Sequence, residues 1–271
     1  MSDKETKYYK LVEKRKNYKF KELKNPSDIL DGIYDNEISI NPWSLWQNNL
    51  DAKIMVIGQD WGDENYYIKN INLIRLSSLW INLNTRGQRR DARILLFGKF
   101  FYSISRTAKI NIAKGSLAIN RYITKKDPFI GNLEMYENAE INVQNTFFIH
   151  SGCDIMVFKG AKLNLGSGYI NRYCKIRCYN EITIGNGVAI SENFTIWDSD
   201  AHQMTNGSEP TQPIVIGNKV WIGTNVTVLK GVNKGDGCVI AAGSLVTKDV
   251  PANCLAAGVP AKVIKENVEW K

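Results

Sequence analysis

The chain has 271 residues, of which 44% are hydrophobic and 23% charged, and its formal net charge is +8 at pH 7. This composition is typical of a globular protein, and no run reaches the roughly 18–20 apolar residues that a membrane helix needs. The five cysteines form no C-x-x-C pair, and the first residues, MSDKETKYYKLVEKRK, lack the apolar core of a signal peptide. We therefore expect a cytoplasmic protein, with the inner face of the membrane as an alternative location.

Residues 1–70 are predicted to form an N-terminal extension. The run AKIMVIG predicts a buried strand, and GQD follows at its end. This stretch is similar to the first motif of uracil-DNA glycosylases, in which the aspartate, here Asp60, positions the attacking water. Trp61 stands where the best-known form has proline, and about 70 residues cannot build a base-flipping pocket. We predict a glycosylase-like remnant or, alternatively, an α/β extension, with no nucleic acid as partner.

Residues 71–107 are predicted to form a basic connecting segment. Residues 69–126 hold thirteen lysines and arginines against a single acid, Asp91. The segment alternates apolar clusters with arginines, which suits an amphipathic helix or a basic strand. The charge has two open interpretations: a solvated face, or a surface that meets an anionic membrane leaflet or an acidic glycan.

From residue 108 onward the chain is built of short repeats. The copies that align are AKINI (108–112), AEINV (139–143), AKLNL (161–165), NEITIG (180–185) and QPIVIG (212–217). A second template, an aliphatic residue followed by five mostly small or polar ones, lies between them. A period of six indicates a β-helix, because one inward aliphatic residue per step can form each flat side of a three-sided coil.

The stretch VWIGTNVTVLKGVNKGDGCVIAAGSLVTKDVPANCLAAGVPAKVIKE at 220–266 resembles hexapeptide-repeat O-acetyltransferases, and the resemblance covers about residues 95–266. It implies a mainly β fold: a left-handed parallel β-helix over 108–266, preceded by the α/β extension. It also implies a homotrimer with sites between subunits, and transfer of an acetyl group from acetyl-CoA to a hydroxyl of a sugar, in surface polysaccharide biosynthesis. Transfer to an amine and a non-catalytic binding module remain alternatives.

Residues 198–213, DSDAHQMTNGSEPTQP, fit no repeat and have loop composition. Histidine is the common general base for a hydroxyl that attacks near neutral pH, and the resembled family carries its base on a loop at this place. We therefore predict His202 as the base, acting by direct transfer. Asp198 and Asp200 both flank it; Asp200 is favoured as the residue that orients the imidazole, and turn capping is the alternative. Gln203 stands where many relatives have proline.

The resemblance also implies which residues bind acetyl-CoA. They are Trp221, Thr224, Ala242, Thr247, Lys248, Lys262 and Lys265. Thr224 and Ala242 would line the pantetheine arm, and the last two lysines would face the phosphates, where relatives often carry arginine. Lysine keeps the charge but loses the bidentate geometry. Trp221 has the alternative role of packing on a loop or subunit.

Asn171 matches a residue that contacts the acceptor in sugar acetyltransferases, so we predict that it binds the sugar. The alternative is a corner asparagine that bonds its own backbone. His150 lies one coil earlier, at the corner or on the acceptor side. With two histidines in the chain, we expect no metal site.

Overall fold

The computed structural model describes residues 76–89, 92–123, 127–203, 205 and 209–270. The predicted glycosylase-like remnant, with Asp60, lies outside these residues. The elements in chain order are α1 (Leu76–Asn84), β1 (Arg93–Leu96), β2 (Phe100–Ile104), β3 (Lys109–Ile112), β4 (Ser116–Arg121), β5 (Gly131–Met135), β6 (Glu140–Val143), β7 (Phe147–His150), β8 (Asp154–Val157), β9 (Lys162–Leu165), β10 (Gly168–Ile170), β11 (Lys175–Cys178), β12 (Glu181–Ile184), β13 (Val188–Ile190), β14 (Thr195–Trp197), β15 (Ile214–Ile216), β16 (Trp221–Ile222), β17 (Thr227–Leu229), β18 (Asn233–Lys234), β19 (Val239–Ile240), β20 (Leu245–Val246), β21 (Leu255–Gly258) and β22 (Ala261–Lys265).

Strands β1–β20 pass in rotation through three sheets, and β21 and β22 complete the first of them. Face 1 runs β1-β4-β7-β10-β13-β16-β19-β21-β22, face 2 runs β2-β5-β8-β11-β14-β17-β20, and face 3 runs β3-β6-β9-β12-β15-β18. Each of β1–β17 pairs in parallel with the strand three positions later. At the end of the coil β19 pairs in parallel with β21, and β22 turns back antiparallel to β21. The predicted mainly β chain wound as a parallel β-helix is confirmed.

The coil begins ahead of residue 108, where the repeat first becomes visible. The basic connecting segment therefore contains α1 and the first two strands of the coil, β1 and β2. We name the corners by the faces they join: corner 1–2, corner 2–3 and corner 3–1.

The interior is a set of aliphatic columns that run along the coil axis. On face 3 one column stacks Ile110, Ile141, Leu163, Ile182 and Ile214, each directly above the last in the strand register and each no more than 1% exposed. Every coil therefore buries its inward residues against its two neighbours, which explains why one aliphatic residue per step suffices. The five cysteines are all buried free thiols.

A lysine continues the neighbouring column on face 3. Ile184, Ile216 and Lys234 are successive register partners, and the Lys234 side chain is fully buried. Its Nζ has no hydrogen-bond partner within the described part of the chain. Burial lowers the pKa of the Lys234 ammonium to about 7. A neutral amine in an apolar column is less costly than a charged one, which is the cause of this shift.

Helix α1 covers the free edge of β1 with its side chains. The Asn82 amide donates to Ile94 O at 2.7 Å and accepts from Ile94 N at 3.0 Å, while Ser78 Oγ accepts from Leu96 N at 2.8 Å. These bonds satisfy backbone groups that a preceding strand would otherwise pair. No helix among the described residues has the length and apolar character that crossing a bilayer requires.

Candidate active site

The loop 198–213 leaves the coil at corner 2–3, between β14 and β15. Hydrogen bonds join its first residues to its last. Asp200 N donates to Pro210 O at 2.7 Å, and Gln212 N donates to Asp198 O at 3.0 Å. Ser199 and Thr211 form an antiparallel bridge between the two arms. The scaffold therefore holds both ends of the loop next to each other on the coil.

The buried carboxylate of Asp198 anchors this loop to the preceding coil. Its two oxygens accept hydrogen bonds from Tyr179 N at 2.7 Å and Asn180 N at 2.8 Å. Burial raises the pKa of the Asp198 carboxyl, and the backbone N–H groups that bond it oppose this rise. Asp198 therefore accepts hydrogen bonds from backbone N–H groups, which is the capping role given above as the alternative to orienting His202. The capped backbone belongs to the previous turn of the coil and not to the loop itself.

His202 lies exposed on the loop, and the described residues offer its ring no hydrogen bond or ion pair. Asp200, which the sequence favours as its orienting partner, forms an ion pair with Lys230 instead, with Oδ2 and Nζ 2.5 Å apart. Lys230 also donates to Glu209 O at 2.6 Å. Lys230 thus joins the two ends of the loop through Asp200 and Glu209. The imidazole of His202 stays exposed to solvent.

A groove of about 570 Å³ lies on the outside of face 1 and reaches corner 1–2. Its lining residues are Ser191, Trp221, Gly223, Thr224, Val239, Ile240, Ala241, Ala242, Leu255, Val268, Glu269 and Trp270. The lining is apolar or small apart from one carboxylate, that of Glu269. Such a groove suits an extended ligand arm with few charges.

One wall of the groove is a return segment, residues 266–270, which runs back past the last coils along corner 3–1. Val268 N donates to Asn253 O at 2.8 Å, and the Trp270 indole donates from Nε1 to Lys219 O at 2.7 Å. The Trp270 ring centroid lies 6.2 Å from that of Trp221. Sequence reasoning missed Val268 and Trp270 because their contacts span long distances in the chain; an aromatic residue in the polar stretch ENVEWK is the one available signal.

The residues predicted to bind acetyl-CoA divide between different parts of the coil. Trp221, Thr224 and Ala242 line the groove. Thr247 and Lys248 follow β20 at corner 2–3, the same corner that expels the histidine loop. Lys262 and Lys265 lie exposed on β22.

Asn171 lies at corner 1–2, in line with the groove residues of later coils. Its Oδ1 accepts a hydrogen bond from Arg172 N at 3.0 Å, which is the backbone contact of the alternative interpretation. His150 lies one coil earlier, half-buried, with Nδ1 3.2 Å from Arg121 O. In the described ranges no three His, Cys, Asp or Glu side chains are grouped so as to hold a metal ion.

The fold and the site together define the class: a parallel β-helix protein, with an ejected histidine loop and an apolar groove on the outside of the coil. No family model matches the chain. Galactoside O-acetyltransferase of Escherichia coli (strain K12) is 43% identical to it over 112 residues, which are 40% of this chain and 55% of that protein. This similarity confirms the predicted resemblance, and the chain spans about half the length of this curated relative.

The solved structures similar to the chain include two sugar acetyltransferases. The polySia specific acetyltransferase NeuO is 27% identical, with a TM-score of 0.43 over 69% of this chain and 89% of the other. The galactoside acetyltransferase in complex with coenzyme A is 31% identical, with a TM-score of 0.35 over 58% of this chain and 66% of the other.

Proposed function

We propose that the protein transfers an acetyl group from acetyl-CoA to a hydroxyl of a sugar, in the biosynthesis of a surface polysaccharide. The observation that carries the proposal is the apolar groove with its tryptophan wall, on the same coil that expels a loop with an exposed histidine. The similarity to a protein named galactoside O-acetyltransferase supports it.

The residues of the groove fit the thiol arm of coenzyme A. Gly223, Thr224 and Ala242 leave room for a thin chain, and Trp221 and Trp270 supply apolar walls. The Glu269 carboxylate would repel phosphates, so the nucleotide end would lie towards the exposed cations Lys262 and Lys265 of β22. Lys248, at corner 2–3, could reach it only from a neighbouring copy. When bound, acetyl-CoA supplies an acetyl thioester, which is an activated acyl group.

The chemistry assigned to this chain is proton transfer. The His202 imidazole would accept the hydroxyl proton as the sugar oxygen attacks. A cysteine nucleophile is disfavoured, because burial raises the pKa of Cys153 to about 12 and that of Cys238 to about 11. A thiol in that condition is a poor nucleophile, which supports direct transfer over a covalent acyl-enzyme.

We further propose that the complete site forms between copies of the chain, as a homotrimer. The groove opens at corner 1–2 and the His202 loop leaves at corner 2–3, so the whole of face 2 separates them within one chain. Both lie in the last coils, at similar heights along the axis. A cyclic arrangement, in which corner 1–2 of one copy meets corner 2–3 of the next, unites them without inverting either coil.

Mixed assemblies test both proposals. His202→Ala removes the base, and Ala242→Trp fills the groove; each variant alone should release coenzyme A from acetyl-CoA, with a panel of sugar acceptors, at least 100-fold more slowly than the wild type. Co-expressed in equal amounts, the two should recover about a quarter of wild-type activity, because one ordered neighbour pair in four has both an intact histidine and an intact groove. Equal rates for His202→Ala and wild type would reject base catalysis, and no recovery would reject the shared site.

We also propose that α1 makes a peripheral contact with an anionic membrane, which would bring the enzyme to lipid-linked acceptors. Trp80 and Leu83 lie on one side of the helix and are 60% and 64% exposed, and Arg86 and Arg93 follow them. Exposed apolar side chains beside cations suit a lipid surface. The protein should sediment with vesicles containing phosphatidylserine at low salt, and less so with Trp80→Ala; soluble behaviour at low salt would contradict the contact.

A further inference from the structure

Corner 1–2 carries a group of polar side chains in the coils that precede the groove. Arg121 and His150 are register partners at the ends of β4 and β7, and Arg172 follows one coil later. We call Arg121, His150 and Arg172 the arginine corner. The Arg121 guanidinium carbon lies 4.3 Å from the centroid of the Phe148 ring, so a cation–π contact holds this side chain in place.

A buried carboxylate holds Arg172 in place. Asp127, whose side chain is fully buried, accepts from Ser151 Oγ at 2.6 Å and lies 3.3 Å from Arg172 Nη2. The Arg172 Nε is buried and has no hydrogen-bond partner within the described residues. The Arg172 side chain is 20% exposed, and a guanidinium has five N–H donors, more than one carboxylate can accept, so the exposed part of the group can donate to a further acceptor.

Arg121 and His150 also have hydrogen-bonding atoms that are free to bind a ligand. Among the described residues, no acid pairs with Arg121, which is exposed. Because a carbonyl can only accept, the 3.2 Å contact of His150 with Arg121 O requires Nδ1 to be the protonated nitrogen. The Nε2 atom of the neutral ring is then an acceptor. Guanidinium donors beside an imidazole acceptor match an anionic group next to a hydroxyl.

The arginine corner and the groove lie along the same corner of the coil, corner 1–2, in successive turns. His150, Asn171 and Ser191 occupy successive positions at corner 1–2, and Ser191 lines the groove. Adjacent parallel strands lie about 4.8 Å apart, so two coils separate His150 from Ser191 by about 10 Å. A monosaccharide at the groove cannot span that distance, whereas an oligosaccharide can.

We propose that the arginine corner binds an anionic group, a carboxylate or phosphate, on the acceptor, and that the acceptor is therefore an acidic oligosaccharide or polysaccharide lying along corner 1–2. This inference rests on the proposed function, which supplies the sugar acceptor. It adds that the acceptor is anionic and that it is longer than one sugar unit. Arg121 and Arg172 bind the anionic group, and His150 Nε2 accepts a hydrogen bond from a hydroxyl of the same sugar unit.

Binding to the full chain in the absence of acetyl-CoA tests the inference, with calorimetry at low salt. The probes are trigalacturonate, its methyl ester, which is uncharged, and a trimer of glycerol phosphate, which carries phosphate in place of carboxylate. We expect one anionic probe to bind at least tenfold more tightly than the ester; which one binds identifies the anion. Equal binding of the ester and both anions would overturn the proposal.

Variants separate the corner from general charge. Arg121→Gln should weaken binding of the anionic probe about tenfold, Arg121→Lys should weaken it less, and binding of the ester should not change. Lys114→Gln removes the same charge at corner 3–1 and should leave binding intact; an equal loss in that variant would overturn the assignment. Arg172→Gln is expected to act like Arg121→Gln, and its melting temperature reports the separate contribution of the Asp127 contact to folding.

Failure of this inference is distinguishable from failure of the proposed function. A chain that binds coenzyme A and acetylates neutral galactosides, but binds no anionic probe, would retain the function and lose the arginine corner. A chain that binds trigalacturonate and shows no affinity for coenzyme A would lose the acetyltransferase assignment and retain the anion site.

Discussion

The replacement Lys234→Met should stabilise the protein, and the gain should depend on pH. Lys234 is fully buried in an aliphatic column and its Nζ has no partner in the described part of the chain. Methionine has a similar unbranched shape and carries no polar hydrogen, so it fills the same space without the cost of burying an amine.

The magnitude follows from the lowered pKa. In the unfolded chain the Lys234 pKa is 10.5, and in the folded protein it is about 7. Between these two values the unfolded state binds a proton that the folded state does not, so the free energy of unfolding falls as the pH is lowered from 10.5 to about 7 and is level below that. At about 1.4 kcal/mol per pH unit, the full interval amounts to about 5 kcal/mol.

Urea unfolding of wild type and Lys234→Met from pH 6 to pH 10, followed by circular dichroism, measures this effect. Above pH 7 the wild type should gain stability with increasing pH, and the variant should lack that part of the slope, so that the difference between them is largest at and below pH 7. Lys162→Met, on the outer side of the same face, removes an exposed lysine and should not alter the slope. Parallel pH profiles for wild type and Lys234→Met would refute the reasoning.

Three further replacements test other contacts. Trp270→Ala should weaken coenzyme A binding about tenfold, because it removes an aromatic wall worth on the order of 1.5 kcal/mol; calorimetry measures this, and unchanged affinity would show that Trp270 does not contact coenzyme A. Asp198→Ala should lower the free energy of unfolding by about 1–3 kcal/mol, because Tyr179 N and Asn180 N lose their acceptors; an unchanged melting temperature would contradict this. Asn82→Ala should destabilise the first coil by a similar amount, because the edge of β1 loses both amide contacts; hydrogen exchange of β1 amides should increase, and unchanged protection would argue against the cap.

The repeat predicted the coil because the spacing of inward aliphatic residues is a local property of the sequence. The start of the coil was less visible. The strands β1 and β2, RILL and FFYSI, form part of faces 1 and 2 although they match none of the aligned repeat copies that begin at residue 108. Here the sheet register, set by pairing with β4 and β5, decides the structure rather than the local pattern.

The parts of the candidate site that lie in one continuous stretch of sequence could be predicted. The parts formed by residues far apart in the chain could not. His202 stands out because its loop interrupts a regular repeat. The pairing of Asp200 with Lys230 joins residues on successive coils, and no spacing in the sequence indicates it. The contact of Trp270 with Lys219 spans 51 residues and depends on the path of the return segment.

The ends of the coil determine how copies can associate. A parallel sheet that stops abruptly presents unpaired N–H and C=O groups, which act as a template for further strands. Here β22 folds back antiparallel on β21, faces 2 and 3 finish on strands of two residues, and α1 blocks the edge of β1 with Ser78 and Asn82. We expect these features to disfavour stacking of one copy on top of another. Truncation before β22 should therefore expose the edge of β21. Because α1 still closes the other end of the coil, two copies should pair through that edge without growing into filaments, which size-exclusion chromatography would measure.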